Sequence, residues 1–221
     1  VLDFIRTDGT ISGVTVLDRL TGRQHTVTAT VVVNATGPWV DILREKDGSK
    51  EGKWLHLTKG VHIVVDHKKL PIRQSVYFEL SDRRMIFAIP RAGKTYIGTT
   101  DTDYKGACED VHLMPEDTRY LINGVNENFE GITLTEADVE SGWAGLRPLI
   151  HEEGKSAYEL SRKDEIFESP SGLISIAGGK LTGYRKMAER VVDLVAEKYL
   201  PFGSWEACRT VDMKLGNSFK D

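Results

Sequence analysis

Residues 2–18 (LDFIRTDGTISGVTVLD) alternate apolar and polar side chains on either side of Asp8-Gly9, which predicts two half-exposed strands joined by a tight turn. A second turn is expected at Thr21-Gly22, and residues 24–33 (QHTVTATVVV) read as a further strand or a bent pair. The end of that run, residues 31–33, is continuously apolar, as in a strand covered on both faces. Small residues follow, and Pro38 suits the first turn of a short helix over 39–44. The charged, glycine-bearing segment 44–53 reads as a crossing between domains. From 57 to 100 the pattern is strand throughout, with runs at 60–65, 74–80, 85–90 and 94–99 and turns at Ser81-Asp82 and Ala92-Gly93, so an antiparallel meander is expected. Residues 115–125 predict a helix opened by Pro115-Glu116-Asp117, whose acids suit the positive end of the helix dipole. After residues 132–150 and a polar loop, short strands are expected near 157–160 and 165–167.

The chain is organised around residues 173–190 (LISIAGGKLTGYRKMAER). An apolar run short enough for a buried strand leads into Gly178 and Gly179. Apolar or aromatic residues then recur at Tyr184, Met187, Ala188, Val191, Leu194 and Val195, the period of an amphipathic helix, with Thr182 as a candidate N-cap. Strand, glycine pair and helix N-terminus together let an electron-rich group approach bare backbone. An ordinary β-α turn has the same spacing, so the stretch alone leaves both readings open. It is not a phosphate-binding P-loop: Ile174 stands where that motif's first glycine belongs, and Leu181 follows the lysine. The other Gly-Lys pair, Gly93-Lys94, has Ala88 at that position and lies between strands. No G-x-G-x-x-G occurs.

Composition narrows the class. The 221 residues are 40% hydrophobic, with 29 basic and 33 acidic side chains, enough material for a globular core. A net charge of −4 argues against a general nucleic-acid binder. No apolar run approaches the ~20 residues of a membrane helix. Cys108 and Cys208 lack CxxC spacing and are expected as thiols in a reducing cytoplasm. The chain begins at Val1 and runs straight into strands, so it is expected to be a piece of a longer protein.

Polar residues that interrupt apolar segments are the site candidates. Lys59 and His62 flank Gly60, Arg84 opens RMIFAIP, Arg162 lies in ELSRKDEI and Lys180 follows the glycine pair. Each has a plainer reading as a solvated strand end or a structural histidine. Arg147, between Leu146 and Pro148-Leu149-Ile150, requires a carboxylate or phosphate partner if buried.

Six stretches carry a resemblance to a known family: VVVNATGPWVD (31–41), HLTKGVHIVVD (56–66), MIFAIPRAGKTYIGTTDTDY (85–104), SGWAGLRPLI (141–150), SRKDEI (161–166) and IAGGKLTGYRKMAE (176–189). In this order they resemble the FAD-dependent glycerol-3-phosphate dehydrogenases, within the wider flavoprotein group of D-amino-acid and glycine oxidases. The form GGKLTGYR, with Gly183 where relatives often carry a second threonine, is similar to the branch from Gram-positive bacteria, so position 183 receives no catalytic role.

The resemblance implies an α/β (α+β) fold: a partial Rossmann-like FAD-binding domain with an antiparallel β-sheet substrate domain, as in D-amino-acid oxidase. It implies the rear of the FAD domain at 1–50 and 165–200, the substrate domain at 51–164, and a linker at 201–221 toward a helical domain. The family's N-terminal G-x-G-x-x-G unit is not in this sequence. The implied reaction oxidises sn-glycerol 3-phosphate to glycerone phosphate, with hydride passing from C2 to the flavin N5 and electrons on to a quinone acceptor. A cytoplasmic location, at the inner face of the membrane as a peripheral protein, goes with that acceptor. The resemblance implies Arg147, Arg162 and Lys180 near the substrate phosphate, with Arg84 a further substrate-binding candidate. It implies Ala35, Thr36, Gly37, Gly178, Gly179, Lys180, Leu181 and Thr182 against the FAD. The general base is His62, since imidazole titrates near neutral pH, or else an alkoxide is held beside Arg147. Alternatives are a glycerophosphate oxidase that uses oxygen and a binding fragment without chemistry of its own. Relatives of the oxidase type carry a longer insertion between the two arginine segments, and only 14 residues separate Arg147 from Arg162 here.

Overall fold

A computed structural model describes residues 1–152, 163–199, 203, 205–213 and 216. The chain forms two compact units, one of residues 1–55 and 149–221, the other of residues 56–148.

In the first unit, β1 (Asp3–Thr7), β2 (Thr10–Leu17) and β3 (Gln24–Thr28) form an antiparallel sheet in that order. The alternating pattern places Phe4 and Ile11 on its inner face, with Leu43 of α1 (Val40–Asp47) and Leu173. A second sheet joins β4 (Val33–Asn34), β11 (Asp164–Glu168) and β12 (Ile174–Gly178) in the order β11-β12-β4. β11 is antiparallel to β12, whereas β4 is parallel to it, with Val33 opposite Ile174 and Asn34 opposite Ser175. α3 (Tyr184–Tyr199) covers this sheet with Met187, Val191, Leu194 and Val195, while Tyr184 and Ala188 of the expected apolar stripe face outward.

Three expectations change here. The run 31–33 is not a strand covered on both faces. Only Val33 and Asn34 pair, at the sheet's edge, and Val33 is 40% exposed while Asn34 is buried. The helix after Pro38 comes in two pieces, a 3-10 turn (Gly37–Trp39) and then α1, which runs three residues beyond Arg44. Thr182 does not cap α3: it lies inside a 3-10 turn (Leu181–Gly183) whose cap position is Lys180, with no side-chain cap bond. The strand expected at 157–160 lies outside the described residues.

The second unit is built on a six-stranded antiparallel sheet. Its order is β10 (Val139–Glu152), β5 (Lys53–Asp66), β8 (Lys94–Gly98), β7 (Met85–Arg91) and β6 (Val76–Glu79), with β9 (Thr102–Asp103) also on β5. Alternation sorts the side chains. Val61, Ile63, Val65, Ile86, Ala88 and Ile97 face a core closed by Leu121, Ile122 and Val125 of α2 (Pro115–Asn128). Asp117 is the third residue of α2 and its carboxylate accepts the Met114 N–H at 3.0 Å, which ties down the start of that helix. Lys59 donates to the same carboxylate at 2.6 Å, and both side chains are nearly buried. Lys59 is therefore spent on the fold.

Candidate functional site

On the side away from β10, β5 meets two partners with a gap between them. Residues 62–66 pair with β8, and Thr58 and Lys59 pair with β9, so on that side Gly60 and Val61 have no strand opposite. The buried Thr100 hydroxyl fills the break, accepting the Val61 N–H at 3.0 Å and donating to the Lys59 carbonyl at 3.4 Å. Residues 99–101 thus run beside Gly60 as an irregular segment of fixed position.

Arg147 uses that segment. Its side chain starts on β10, crosses β5 at Gly60 and ends against residues 99–101. Nη2 donates to Thr99 Oγ1 at 2.8 Å, and Nη1 donates to the Thr100 carbonyl at 3.1 Å and to Asp101 Oδ1 at 3.3 Å. A Cβ at position 60 would lie 2.4–2.6 Å from the guanidinium, so the crossing needs a glycine. The side chain stays 33% exposed, which leaves it open to a ligand.

His62 lies two residues along the same face of β5. Its ring covers Gly98, its partner in register, where a Cβ would stand 2.4 Å from the ring. The ring stacks on Trp143 of β10 at 4.8 Å and 9°, and Tyr96 meets Trp143 edge-on at 5.7 Å. Burial, and secondarily the positive charge of Arg147, push the His62 pKa below its ordinary value. Its Nδ1 is buried without a hydrogen-bond partner among the described residues. The sheet face opposite the core is therefore floored by Gly60 and Gly98, walled by Trp143 and Tyr96, and carries a neutral imidazole beside a cation.

Arg84 stands apart from that floor. It pairs with Asp82 at 2.7 Å, lies over the Tyr120 ring at 4.8 Å and donates to the Asp101 carbonyl at 3.4 Å. Arg162 lies outside the described residues.

The cofactor candidates gather in the first unit. β4 and β12 are parallel neighbours, so their carboxyl ends emerge at one edge of the sheet, the place where open α/β sheets meet ligands. From β4 emerge Ala35, Thr36 and Gly37, held by a Thr36 hydroxyl bond to Asn34 Oδ1 at 2.7 Å; Asn34 Nδ2 in turn donates to Ser175 Oγ at 3.2 Å. From β12 emerge Gly178 and Gly179, both in the left-handed region at φ +79° and +75°, followed by exposed Lys180, Leu181 and Thr182. Leu181 is 91% exposed. The first N–H groups of the turn at 181–183 have no partners within it. Two backbone loops at one sheet edge, one of them kept low by glycines, fit the approach of a large anionic cofactor. Among the described residues no group of side chains is arranged to hold a metal ion, and no helix is long and apolar enough to cross a membrane.

The family model described as DAO, FAD dependent oxidoreductase, matches residues 1–185. The chain belongs to this family. It is 54% identical over 217 residues to the aerobic glycerol-3-phosphate dehydrogenase of Bacillus subtilis, covering 97% of this chain and 39% of that protein. The same identity holds over 189 residues to the protein of that name from Staphylococcus aureus, 85% of this chain and 34% of the relative. The crystal structure of the glycerol-3-phosphate dehydrogenase from Bacillus halodurans complexed with FAD superposes with a TM-score of 0.84 at 56% identity. It covers 94% of this chain and 39% of that one. The expected fold, a partial Rossmann-like α/β arrangement with antiparallel sheets, is the one observed.

The residues that sequence reasoning missed are Gly60, Gly98, Thr99, Asp101 and Trp143. All five lie inside the six stretches that carry the resemblance, and the visible signal was a glycine placed two residues before His62 on the same face of a strand.

Proposed function

We propose that this chain is part of an FAD-dependent enzyme that oxidises sn-glycerol 3-phosphate to glycerone phosphate and passes the electrons to a quinone. The observation that carries the reading is the glycine-floored face of the second unit, where Arg147 and a neutral His62 lie side by side in a chain of this family. The names of the relatives supply the substrate class.

When bound, FAD supplies the acceptor for the hydride that leaves C2. Ala35, Thr36, Gly37, Gly178, Gly179, Lys180, Leu181 and Thr182 would hold it, and backbone N–H groups among them would favour its negative charge. His62 is the base: a neutral imidazole accepts the C2 hydroxyl proton as that carbon is oxidised. Arg147 binds the substrate anion, since a guanidinium grips phosphate oxygens in a way an ammonium does not. Lys180 and Arg162 are proposed as further cations for that phosphate, and a location at the inner face of the membrane is proposed with the quinone acceptor.

The test uses the full-length holoenzyme. Anaerobic sn-glycerol 3-phosphate is expected to bleach its yellow absorbance, and a soluble quinone to restore it faster than oxygen does. A colourless protein, or a flavin that the substrate does not bleach, overturns the reading. Faster reoxidation by oxygen makes it an oxidase.

A further inference from the structure

Resting on that reading, we infer that Asp101 is the positioning residue that aims Arg147 at the substrate, and that Gly60 is the clearance that allows the arginine to reach it. Arg147 originates on β10 but works on the far side of β5, so its stem must cross a neighbouring strand. Long side chains that cross a strand have many rotamers, and holding one of them costs entropy. Two neutral acceptors, the Thr99 hydroxyl and the Thr100 carbonyl, meet the guanidinium, and among the described residues only Asp101 meets it with a charge.

Asp101 is itself held. Its carbonyl accepts Arg84 Nη1, and Arg84 is fixed by Asp82 at 2.7 Å and by the Tyr120 ring. Two arginines therefore grip one residue, Arg84 at the backbone and Arg147 at the carboxylate. This gives Arg84 a place in the site through Asp101.

The arrangement also leaves the guanidinium in a defined state. Nη1 is committed to Thr100 and Asp101 and Nη2 to Thr99, whereas Nε has no partner among the described residues. The cation is presented by one edge, with the other tied down. A charge-assisted contact that is part-exposed is worth less than a buried one, so the effect of losing Asp101 is carried by the misplacement of Arg147.

A double-mutant cycle in the full-length holoenzyme tests this. Asp101→Ala is expected to lower kcat/KM for sn-glycerol 3-phosphate about 10-fold. Its KM should rise more than its kcat falls, FAD content should stay unchanged, and Asp101→Glu should recover part of the loss. In an Arg147→Lys background the same Asp101→Ala change is expected to cost less than 2-fold, roughly the limit of additivity for uncoupled sites. Equal losses in both backgrounds overturn the inference. Gly60→Ala, which leaves Asp101 intact, should reproduce the loss by displacing the guanidinium, and normal kinetics in it count against the crossing. If the wild-type enzyme does not oxidise sn-glycerol 3-phosphate, the substrate reading fails by itself. A crystal structure of Asp101→Ala then decides the positioning claim: Arg147 still bonded to Thr99 refutes it, and a displaced Arg147 supports it.

Discussion

His62 shows how two causes of different size set one pKa. Burial is the larger and Arg147 the smaller, and both disfavour the imidazolium. As the proposed base, His62 must be deprotonated to act, so kcat/KM is expected to fall as pH drops through its pKa, and the acid limb of the wild-type profile should lie below the usual histidine value of about 6.5. Arg147→Met removes the charge but not the burial. The limb should therefore move upward by less than the full shift, on top of a uniformly lower rate. The substrate phosphate titrates near pH 6, so the informative quantity is the difference between the two enzymes on the same substrate, where that titration cancels. An unmoved limb would assign the base elsewhere. His62→Ala, expected to lower kcat by ~10²–10⁴, should abolish the limb.

At the scale of elements, α2 and β5 are joined by one carboxylate. Asp117 closes the first turn of α2 and neutralises Lys59 on β5, both nearly out of water. Asp117→Ala removes a cap and strands a buried ammonium, so a loss of about 3 kcal/mol is expected, within the range for breaking a buried pair. Chemical denaturation measures it, and a loss under 1 kcal/mol would mean that Lys59 reaches water when unpaired. The sequence carried α2 plainly, because Pro115-Glu116-Asp117 announces a helix start and a 3.6 period follows. It carried the meander too, through its alternation and turn pairs. β10 was hidden: Gly142, Gly145 and Pro148 disfavour a strand, and proline is tolerated there because β10 is an edge. The glycines of this sheet were legible as breakers but not as clearances, since what passes over Gly60 is a side chain 87 residues away in sequence. Arg147 was legible as an arginine needing a partner, and the partner, Asp101, is fixed only by how β8 gives way to β9. Thr182 reads as a cap by residue type, yet the chain tightens into a 3-10 turn first.

The whole chain holds more than one core. The second unit closes Val61, Ile63, Val65, Ile97, Leu121 and Val125 around its sheet, while the first has separate clusters, one on Phe4, Ile11 and Leu43 and another on Ile174, Ile176 and Val191. Cooperativity follows shared burial, and units with their own cores open with their own free energies. Denaturant unfolding of the chain is therefore expected to show two transitions. Each can be labelled by a substitution confined to one unit. Asp117→Ala should lower only the midpoint of the second unit. Gly178→Ala should lower only that of the first, because position 178 has φ +79° and an added Cβ would lie 2.4 Å from the Lys163 carbonyl. Tryptophan fluorescence, with Trp39, Trp54 and Trp205 in the first unit and Trp143 in the second, and far-UV circular dichroism of the whole chain give two probes with different weights. If both probes trace one coincident curve and both substitutions displace all of it, the units fold as a single cooperative body. If each substitution displaces its own transition, the strands β5 and β10 link the units without merging their stabilities.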